Sequence, residues 1–179
     1  SEQPFFIFTA ILAKRTGRPV LFQHTRREDF HDTRNRILYD CRLSAMKDGT
    51  ITGVHINSIC DSGAYSDHSL AASDFVVREW AEGVICNIPN IKLETRSVYT
   101  NKIPGGVKRG IGHNQVNFAL CYALDELAEK LNMDPIELTI KNLGYENFPL
   151  PNPSLEAVLR EGANRIDWHR RLKPGEGMT

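Results

Sequence analysis

The segment Ile37-Leu38-Tyr39-Asp40-Cys41-Arg42-Leu43-Ser44-Ala45-Met46-Lys47-Asp48-Gly49-Thr50-Ile51 decides the fold. In residues 37–45, apolar side chains occupy every second position, which is the period of a strand with one buried face. Lys47-Asp48-Gly49-Thr50 is typical of the Asp-Gly turns that connect hairpin strands. We therefore predict a β-hairpin whose second strand runs over about residues 51–61.

Helices are predicted before and after this hairpin in the sequence. Asn114, Asp134 and Ser154 stand at N-cap positions, and leucines at helical spacing follow the first of them. The predicted helices are a mostly buried one at residues 4–14, then 115–131 with a stripe of Leu120, Leu124, Leu127 and Leu131, 135–143 and 154–164. Further strands are predicted at residues 20–23 and 92–99, a capped turn at 25–30 and a helix at 75–80. This order predicts an α+β fold, with an antiparallel or mixed sheet that contains the hairpin and is packed by helices.

The composition excludes several classes of protein. The 179 residues are 41% hydrophobic and 25% charged, as in an ordinary globular domain, and the formal net charge is zero. No bulk field therefore attracts nucleic acid, and no apolar run approaches the ~20 residues of a membrane span. The four cysteines form no CxxC pair, which argues against a zinc or iron–sulfur site in this chain and favours free thiols in a reducing compartment.

A glycine-rich segment, Pro104-Gly105-Gly106-Val107-Lys108-Arg109-Gly110-Ile111-Gly112-His113-Asn114-Gln115, precedes the longest predicted helix. Glycines let backbone amides approach a ligand, and a helix N-terminus adds unpaired N–H donors. The adjacent cations Lys108 and Arg109 suit a phosphate. These features predict a cradle for a phosphorylated ligand, but taken alone they fit a tight, solvated loop equally well.

The wider chain resembles a known family through an ordered set of short motifs. Together they resemble the molybdenum-binding large subunit of the xanthine dehydrogenase/aldehyde oxidase family, over nearly the whole length to about Trp168. The motifs are Thr16-Gly17-Arg18-Pro19-Val20, Thr25-Arg26-Arg27-Glu28-Asp29-Phe30, Lys47-Asp48-Gly49-Thr50-Ile51, Asp61-Ser62-Gly63-Ala64-Tyr65, Ile88-Pro89-Asn90-Ile91, Tyr99-Thr100-Asn101, Leu124-Asp125-Glu126-Leu127, Asp134-Pro135-Ile136-Glu137-Leu138 and Lys141-Asn142-Leu143.

The resemblance implies a cofactor and an organisation. The cofactor is a molybdenum-pterin, either molybdopterin or its dinucleotide, whose metal no protein side chain ligates. Residues 1–148 would form part of the molybdopterin-binding lobe, and residues 149–179 a Pro-rich linker and C-terminal helix leading to the next lobe. Iron–sulfur and FAD groups are expected on partner domains or subunits. The chain would be an internal piece of a longer cytoplasmic polypeptide, with no membrane span and no nucleic-acid partner.

The resemblance also assigns site residues. Arg109, Gly110, Gly112 and Gln115 match positions that contact the cofactor in the family. Three residues are expected at the substrate pocket. Ile111 stands where purine-hydroxylating members have an aromatic residue, Lys108 replaces a common Phe or Tyr, and Arg78 lies one residue out of register with a substrate-facing Arg.

The expected function is that of an oxidoreductase that hydroxylates an aldehyde or N-heterocycle with oxygen derived from water. No catalytic residue is expected in this segment, because the family's glutamate base belongs near the far C-terminus of the large chain. Glu176, in Gly175-Glu176-Gly177, lacks the right surroundings. The isolated segment should therefore be inactive. Two alternatives remain open: a non-catalytic binding or assembly module on the same scaffold, and an unrelated phosphate-binding domain.

Overall fold

The computed structural model describes residues 3–31, 33–65, 88–106, 109–143 and 154–169. The helices are α1 (Gln3–Thr16), α2 (His113–Leu131), α3 (Pro135–Lys141) and α4 (Ser154–Arg165), with a 3-10 turn at Glu28–His31. The strands are β1 (Thr33–Arg34), β2 (Arg36–Ala45), β3 (Ile51–Gly63), β4 (Ile91–Tyr99) and β5 (Gly105–Gly106). The predicted helix at 75–80 and residues 149–153 of the predicted linker lie outside the described residues. The predicted division at residue 148 stays a prediction.

The main sheet has three strands in the order β2-β3-β4, and β1 pairs in parallel with β5. Around the turn, the Met46 amide donates to the Thr50 carbonyl, and the Ser44 hydroxyl contacts Thr52, so β2 and β3 run antiparallel. Beside β4, Val54 donates to Asn90, and Thr100 donates to Gly63. From the first of these bonds to the second, residue numbers increase along both strands, so β3 and β4 run parallel. The predicted α+β fold with a mixed sheet is confirmed.

The hairpin follows its sequence pattern closely. Along β2 the side chains alternate between exposed and half-buried, and the half-buried face begins at Ile37 and ends at Ala45, as the alternation predicts. The turn closes with the Gly49 amide donating to the Met46 carbonyl at 3.0 Å. β3 is the central strand, and Ile51, Ile56 and Cys60 on it are buried. It extends two residues beyond the predicted end, to Gly63.

The chain divides into two compact units, each with its own buried side chains. One comprises the described parts of Ser1–Cys41, His55–Trp80 and Lys92–Leu120, and the other those of Arg42–Val54, Ala81–Ile91 and Cys121–Thr179. Buried apolar residues of the first unit are Ile56, Cys60, Val116 and Leu120. Those of the second unit are Ile51, Val54, Ile88, Leu124, Ala128, Leu138 and Leu143.

Helix α2 differs from its prediction at the N-terminus. It begins at His113, so Asn114 lies inside the helix and is not its N-cap. The carbonyl of Gly112 accepts the first helical hydrogen bonds, from Gln115 and Val116. The buried stripe runs through Val116, Leu120, Leu124 and Ala128, while Leu127 and Leu131 flank it half-buried. The glycine before the helix therefore takes the role that the sequence pattern assigns to the asparagine.

The N-terminal region contains two errors of prediction. α1 is a helix as predicted, but it is not mostly buried: Phe6 is 70% exposed and Phe8 59%. Its consecutive apolar residues point to all sides of the helix, so packing on one side cannot cover them. Residues 20–23 do not form a strand. Instead the Phe22 ring stacks on Phe5, with centroids 4.7 Å apart. The predicted capped turn is confirmed, because Thr25 and Glu28 exchange hydrogen bonds.

Asn142, the C-cap of α3, joins that helix to the hairpin turn. It is 5% exposed. Its Nδ2 donates to the Gly49 and Leu138 carbonyls at 2.9 and 2.8 Å, and its Oδ1 accepts from the Ile51 amide at 2.9 Å. One side chain therefore satisfies three buried backbone groups.

We predict that Asn142→Ala lowers the free energy of unfolding by about 2–5 kcal/mol, because the Ile51 N–H and Gly49 carbonyl lose their partner in a buried environment. Chemical denaturation of the variant and the parent protein measures the difference. The control is Asn101→Ala, at an exposed loop position, which should change stability by no more than about 0.5 kcal/mol. Equal stabilities of the two variants would contradict the role given to Asn142.

Candidate functional site

The glycine-rich segment enters the site as a strand. Gly105 and Gly106 form β5, in register with Thr33 and Arg34 of β1. A Cβ atom at Gly105 would collide with the side-chain amide of Asn35. Glycine at this position therefore leaves room for the Asn35 side chain. Residues 107 and 108, including Lys108, lie outside the described part of the chain.

The loop then turns sharply before α2. Gly110, Ile111 and Gly112 have φ angles of 87°, 30° and 85°, so three successive residues occupy the left-handed region. The carbonyls of Gly110 and Gly112 accept hydrogen bonds from the first residues of α2. The Gly110 oxygen accepts from the His113 amide at 2.6 Å, and the Gly112 oxygen accepts from Gln115 at 3.0 Å. No described residue accepts a hydrogen bond from the amides of residues 110–112; Gly110 and Ile111 are exposed, whereas Gly112 is buried.

Ile111 is the strained residue of this turn. A β-branched side chain rarely adopts a positive φ, and such backbone costs on the order of 1–3 kcal/mol. The side chain is 40% exposed, although it is apolar. Strain of this kind persists where the surroundings fix the backbone, which is common at ligand sites.

Gln115 lies in the first turn of α2, and only one of the two polar atoms of its side-chain amide is hydrogen-bonded. Its Nε2 donates to the main-chain oxygen of Asn35 at 3.1 Å. Its Oε1 is buried and accepts no hydrogen bond from any described residue. Because an unsatisfied buried acceptor costs about 1–3 kcal/mol, this atom fits a ligand that brings a donor.

Arg109 places a cation at the edge of the same loop. Its side chain is exposed, and its guanidinium makes no hydrogen bond or ion pair within the part of the chain that is described. Its main-chain oxygen accepts from Arg34 Nη2 at 2.8 Å. Three amides, a buried acceptor and a free guanidinium therefore lie within one seven-residue stretch, 109–115. This donor set suits a ligand with both anionic oxygens and N–H groups.

Asp61, near the end of β3, anchors the segment after β4 that leads to this loop. Its carboxylate accepts from Lys102 at 2.6 Å, from the Thr100 hydroxyl, and from the Gly63 amide at 3.1 Å. Its main-chain oxygen accepts from Asn35 Nδ2 at 3.0 Å. The hydrogen bond from Lys102, helped by that from Thr100, lowers the pKa of Asp61 to about 2. The carboxylate is therefore ionised under all ordinary conditions and holds the end of β3 against the segment after β4.

Comparison with known proteins decides the family. The family model described as the molybdopterin cofactor-binding domain matches residues 2–143. The chain belongs to the molybdopterin cofactor-binding domain family. The strand pair β1-β5, the left-handed turn and the entrance of α2 all lie inside the matched region. The resemblance to molybdenum hydroxylases that the motifs indicate is confirmed.

Individual relatives of this molybdopterin-binding domain are larger enzymes. A probable hypoxanthine oxidase from Escherichia coli (strain K12) is 32% identical over 178 residues, which cover 86% of this chain and 18% of the relative. A protein from Bacillus subtilis (strain 168), named as a probable component of xanthine dehydrogenase, is 38% identical over 138 residues, covering 76% of this chain and 18% of that protein. The chain thus spans about a fifth of the length of these relatives.

Solved structures share the fold. The aldehyde oxidoreductase from Desulfovibrio gigas superimposes with a TM-score of 0.66 at 30% identity, over 89% of this chain and 18% of that chain. The quinoline 2-oxidoreductase from Pseudomonas putida 86 superimposes with a TM-score of 0.73 over 93% of this chain and 23% of that chain. At 24% identity the second match is a likeness of fold alone.

The molybdopterin-binding domain brings most of the predicted site residues together. Arg109, Gly110, Ile111, Gly112 and Gln115 line one turn, whereas Lys108 and Arg78 lie outside the described residues. Sequence reasoning missed Arg34 and Asn35, which contact the turn from a distant segment. Asp61, in the motif Asp61-Ser62-Gly63-Ala64-Tyr65, accepts from the Gly63 amide, as aspartates at turns commonly do.

Two further searches of the domain give negative findings for the described residues. Nowhere in them do three His, Cys, Asp or Glu side chains gather in a way that could hold a metal ion. None of the described helices combines the length and apolarity needed to cross a membrane.

We predict that Asp61→Asn flattens the pH dependence of stability in acid. Because the pKa of Asp61 falls to about 2 on folding, from about 3.9 in an unfolded chain, ionised Asp61 stabilises the fold above about pH 4. That contribution is lost as the pH falls toward 2. Urea unfolding between pH 2 and 6 measures it, and Thr100→Val should give an intermediate slope. An unchanged acid slope in Asp61→Asn would refute the assignment.

Proposed function

We propose that this domain is part of a molybdenum hydroxylase, an oxidoreductase that hydroxylates an aldehyde or an N-heterocycle with oxygen derived from water. The family membership and relatives named hypoxanthine oxidase, xanthine dehydrogenase and aldehyde oxidoreductase support the proposal. The observation that carries it is the buried Gln115 Oε1, which lacks a donor among the described residues and lies beside a turn whose three amides donate to no described residue.

The residues of this turn fit a molybdenum-pterin. Gln115 Oε1 would accept from an N–H of the pterin, and the amides of Gly110 and Gly112 would donate to its oxygens. The guanidinium of Arg109 would bind a phosphate or pterin oxygen through its fork of donors. Glycine at 110 and 112 keeps side chains out of the way of these amides. When bound, the cofactor supplies the two-electron oxidation of the substrate C–H bond.

The remaining residues of the turn would form the substrate side of the site. The exposed side chain of Ile111 would give the pocket an aliphatic wall, which offers contact area without the stacking face of an aromatic ring. Lys108 and Arg78 are proposed as further pocket residues because of their sequence positions. The general base is assigned to no residue of this chain, and the 179-residue chain by itself is expected to be inactive.

The proposed enzyme needs electron acceptors beyond this domain. Two-electron oxidation of a substrate requires a path for the electrons, and we assign it to iron–sulfur and FAD groups on partner domains or subunits. We place the protein in the cytoplasm, since Cys41 and Cys121, among the described residues, are free thiols. The pterin is molybdopterin or its dinucleotide.

A second candidate is a non-catalytic binding or assembly module on the same scaffold. The aliphatic Ile111, in place of the aromatic residue of purine-hydroxylating members, favours it, because a lost stacking face would be tolerated where no substrate binds. Molybdenum and pterin analysis of the complete protein separates the two candidates. A protein purified with its partners yet free of molybdenum would favour the module.

We predict that Arg109→Ala lowers molybdenum-pterin occupancy and turnover of the complete enzyme more than Lys108→Ala does. Removing one partner of a desolvated charge pair costs roughly 2–5 kcal/mol, against ~0–1 kcal/mol for a solvent-facing cation. Both variants should be purified with their partner subunits and compared for molybdenum, pterin and turnover.

The two variants serve as matched controls, because each removes one cation from adjacent positions of one loop. Full molybdenum content and full turnover in Arg109→Ala would show that the loop does not hold the cofactor through this residue. An equal loss in both variants would show a general need for positive charge instead of a specific contact by Arg109.

A further inference from the structure

We propose that Arg34 is a positioning residue that holds the turn at 109–112 in its cofactor-binding shape, an inference that rests on the proposed function. Arg34 comes 75 residues before Arg109 in sequence and is not part of the glycine-rich segment. Its side chain nevertheless makes two hydrogen bonds to that segment.

The two bonds bracket the strained part of the turn. Arg34 Nη2 donates to the main-chain oxygen of Arg109 at 2.8 Å, and Nη1 donates to Asn114 Oδ1 at 3.4 Å. The three left-handed residues lie between these two contacts. A guanidinium is planar and presents its donors in a fixed fork, so one side chain fixes the spacing of both ends.

The bond to the Arg109 oxygen also sets the direction of a ligand-binding amide. The C=O of Arg109 and the N–H of Gly110 belong to one peptide group, which is trans, as are all the described peptide bonds. In a trans peptide these two groups point in opposite directions. Because Arg34 draws the oxygen toward itself, the Gly110 N–H points away from Arg34 and cannot rotate without breaking the bond.

The residues beside Arg34 reinforce this arrangement from the same segment. Thr33 and Arg34 pair with Gly105 and Gly106, where the segment enters the turn. The main-chain oxygen of Asn35 accepts from Gln115 Nε2, where the segment leaves it. Arg34 supplies the contact in between, at the turn itself.

The strain in the turn explains why such a support is needed. Backbone in sparsely populated regions persists only when its surroundings over-determine it. The Ile111 side chain is aliphatic and has no polar group that could hold its own backbone at a φ of 30°. The guanidinium of Arg34 is charged, and hydrogen bonds from charged donors are stronger than those between neutral groups.

The test has one arm that does not depend on the cofactor. Amide hydrogen exchange should be measured by mass spectrometry over the start of α2, where the His113, Gln115 and Val116 amides are bonded to loop carbonyls. In Arg34→Ala these amides should exchange about tenfold faster, since the loop that supplies their acceptors is released. The control is Arg36→Ala, at an exposed arginine two residues away, which should exchange as the parent protein does.

The second arm measures the cofactor on the complete enzyme. Molybdenum and pterin should be quantified before and after extensive buffer exchange. The pterin is released and oxidised to a fluorescent product for this measurement. Arg34→Ala should retain the pterin on the order of 10- to 100-fold less well, the usual effect of removing a group that orients a binding group. Arg34→Lys should lie between, because an ammonium can reach one acceptor but lacks the fork. Low concentrations of guanidinium should partly rescue Arg34→Ala.

Each outcome decides one part of the inference. Faster exchange together with rescued pterin loss supports it. Unchanged exchange in Arg34→Ala, or full pterin retention, overturns the positioning role. A loss that Lys and guanidinium do not relieve, or that Arg36→Ala shares, shows general destabilisation and also overturns it. If the complete unmutated enzyme contains no pterin, while Arg34→Ala still speeds amide exchange, the proposed function is refuted. Only the role of Arg34 in holding the loop then remains.

Discussion

The pairing of Thr33–Arg34 with Gly105–Gly106 is the contact on which the arrangement of the site depends. It is only two residues long, yet it places the Arg34 side chain and the Asn35 carbonyl against the glycine-rich segment. The Asn35 side chain in turn donates to the main-chain oxygen of Asp61, near the end of β3. The close approach leaves no room for a side chain at Gly105. At Gly63 a Cβ would instead meet the backbone of Ile103 and Pro104. Glycine at 63 therefore lets two backbone segments pass closely, and glycine at 105 leaves room for the Asn35 side chain.

Polar contacts hold both ends of β3. Asp61 carries its charge at an interior position, with only 17% of its side chain exposed, because a lysine, a threonine and a backbone amide surround it. Asn142 plays a similar part at the hairpin turn, where it serves three backbone groups. Both side chains sit at ends of β3, the strand with the most buried residues. The central strand is thus closed at each end by one polar residue, which satisfies the backbone where regular pairing stops.

The local parts of this structure could be predicted from the sequence, and the non-local parts could not. Alternation over residues 37–45 and the Asp-Gly turn specify the hairpin because neighbours along the chain determine both. The start of α2 was misplaced because a glycine in the left-handed region competes with Asn114 for the cap. The burial of α1 was wrong because burial depends on what packs against a helix, which its own periodicity does not contain. The site divides in the same way: Arg34 and Asn35 carry no local signal, since they reach the turn across 75 and 80 residues.

In the proposed site, the hydrogen bond between Gln115 and Asn35 would make binding depend on which hydrogen-bonding group the ligand presents. A glutamine amide on a surface can flip by 180° and offer either its oxygen or its nitrogen. Here the Asn35 carbonyl can only accept, so the nitrogen must face it and the oxygen must face the other way. A heterocycle that presents an N–H finds a partner there, whereas one that presents a lone pair meets another lone pair. If a heterocycle binds there as proposed, this position would distinguish its tautomers and ring orientations without any change of charge.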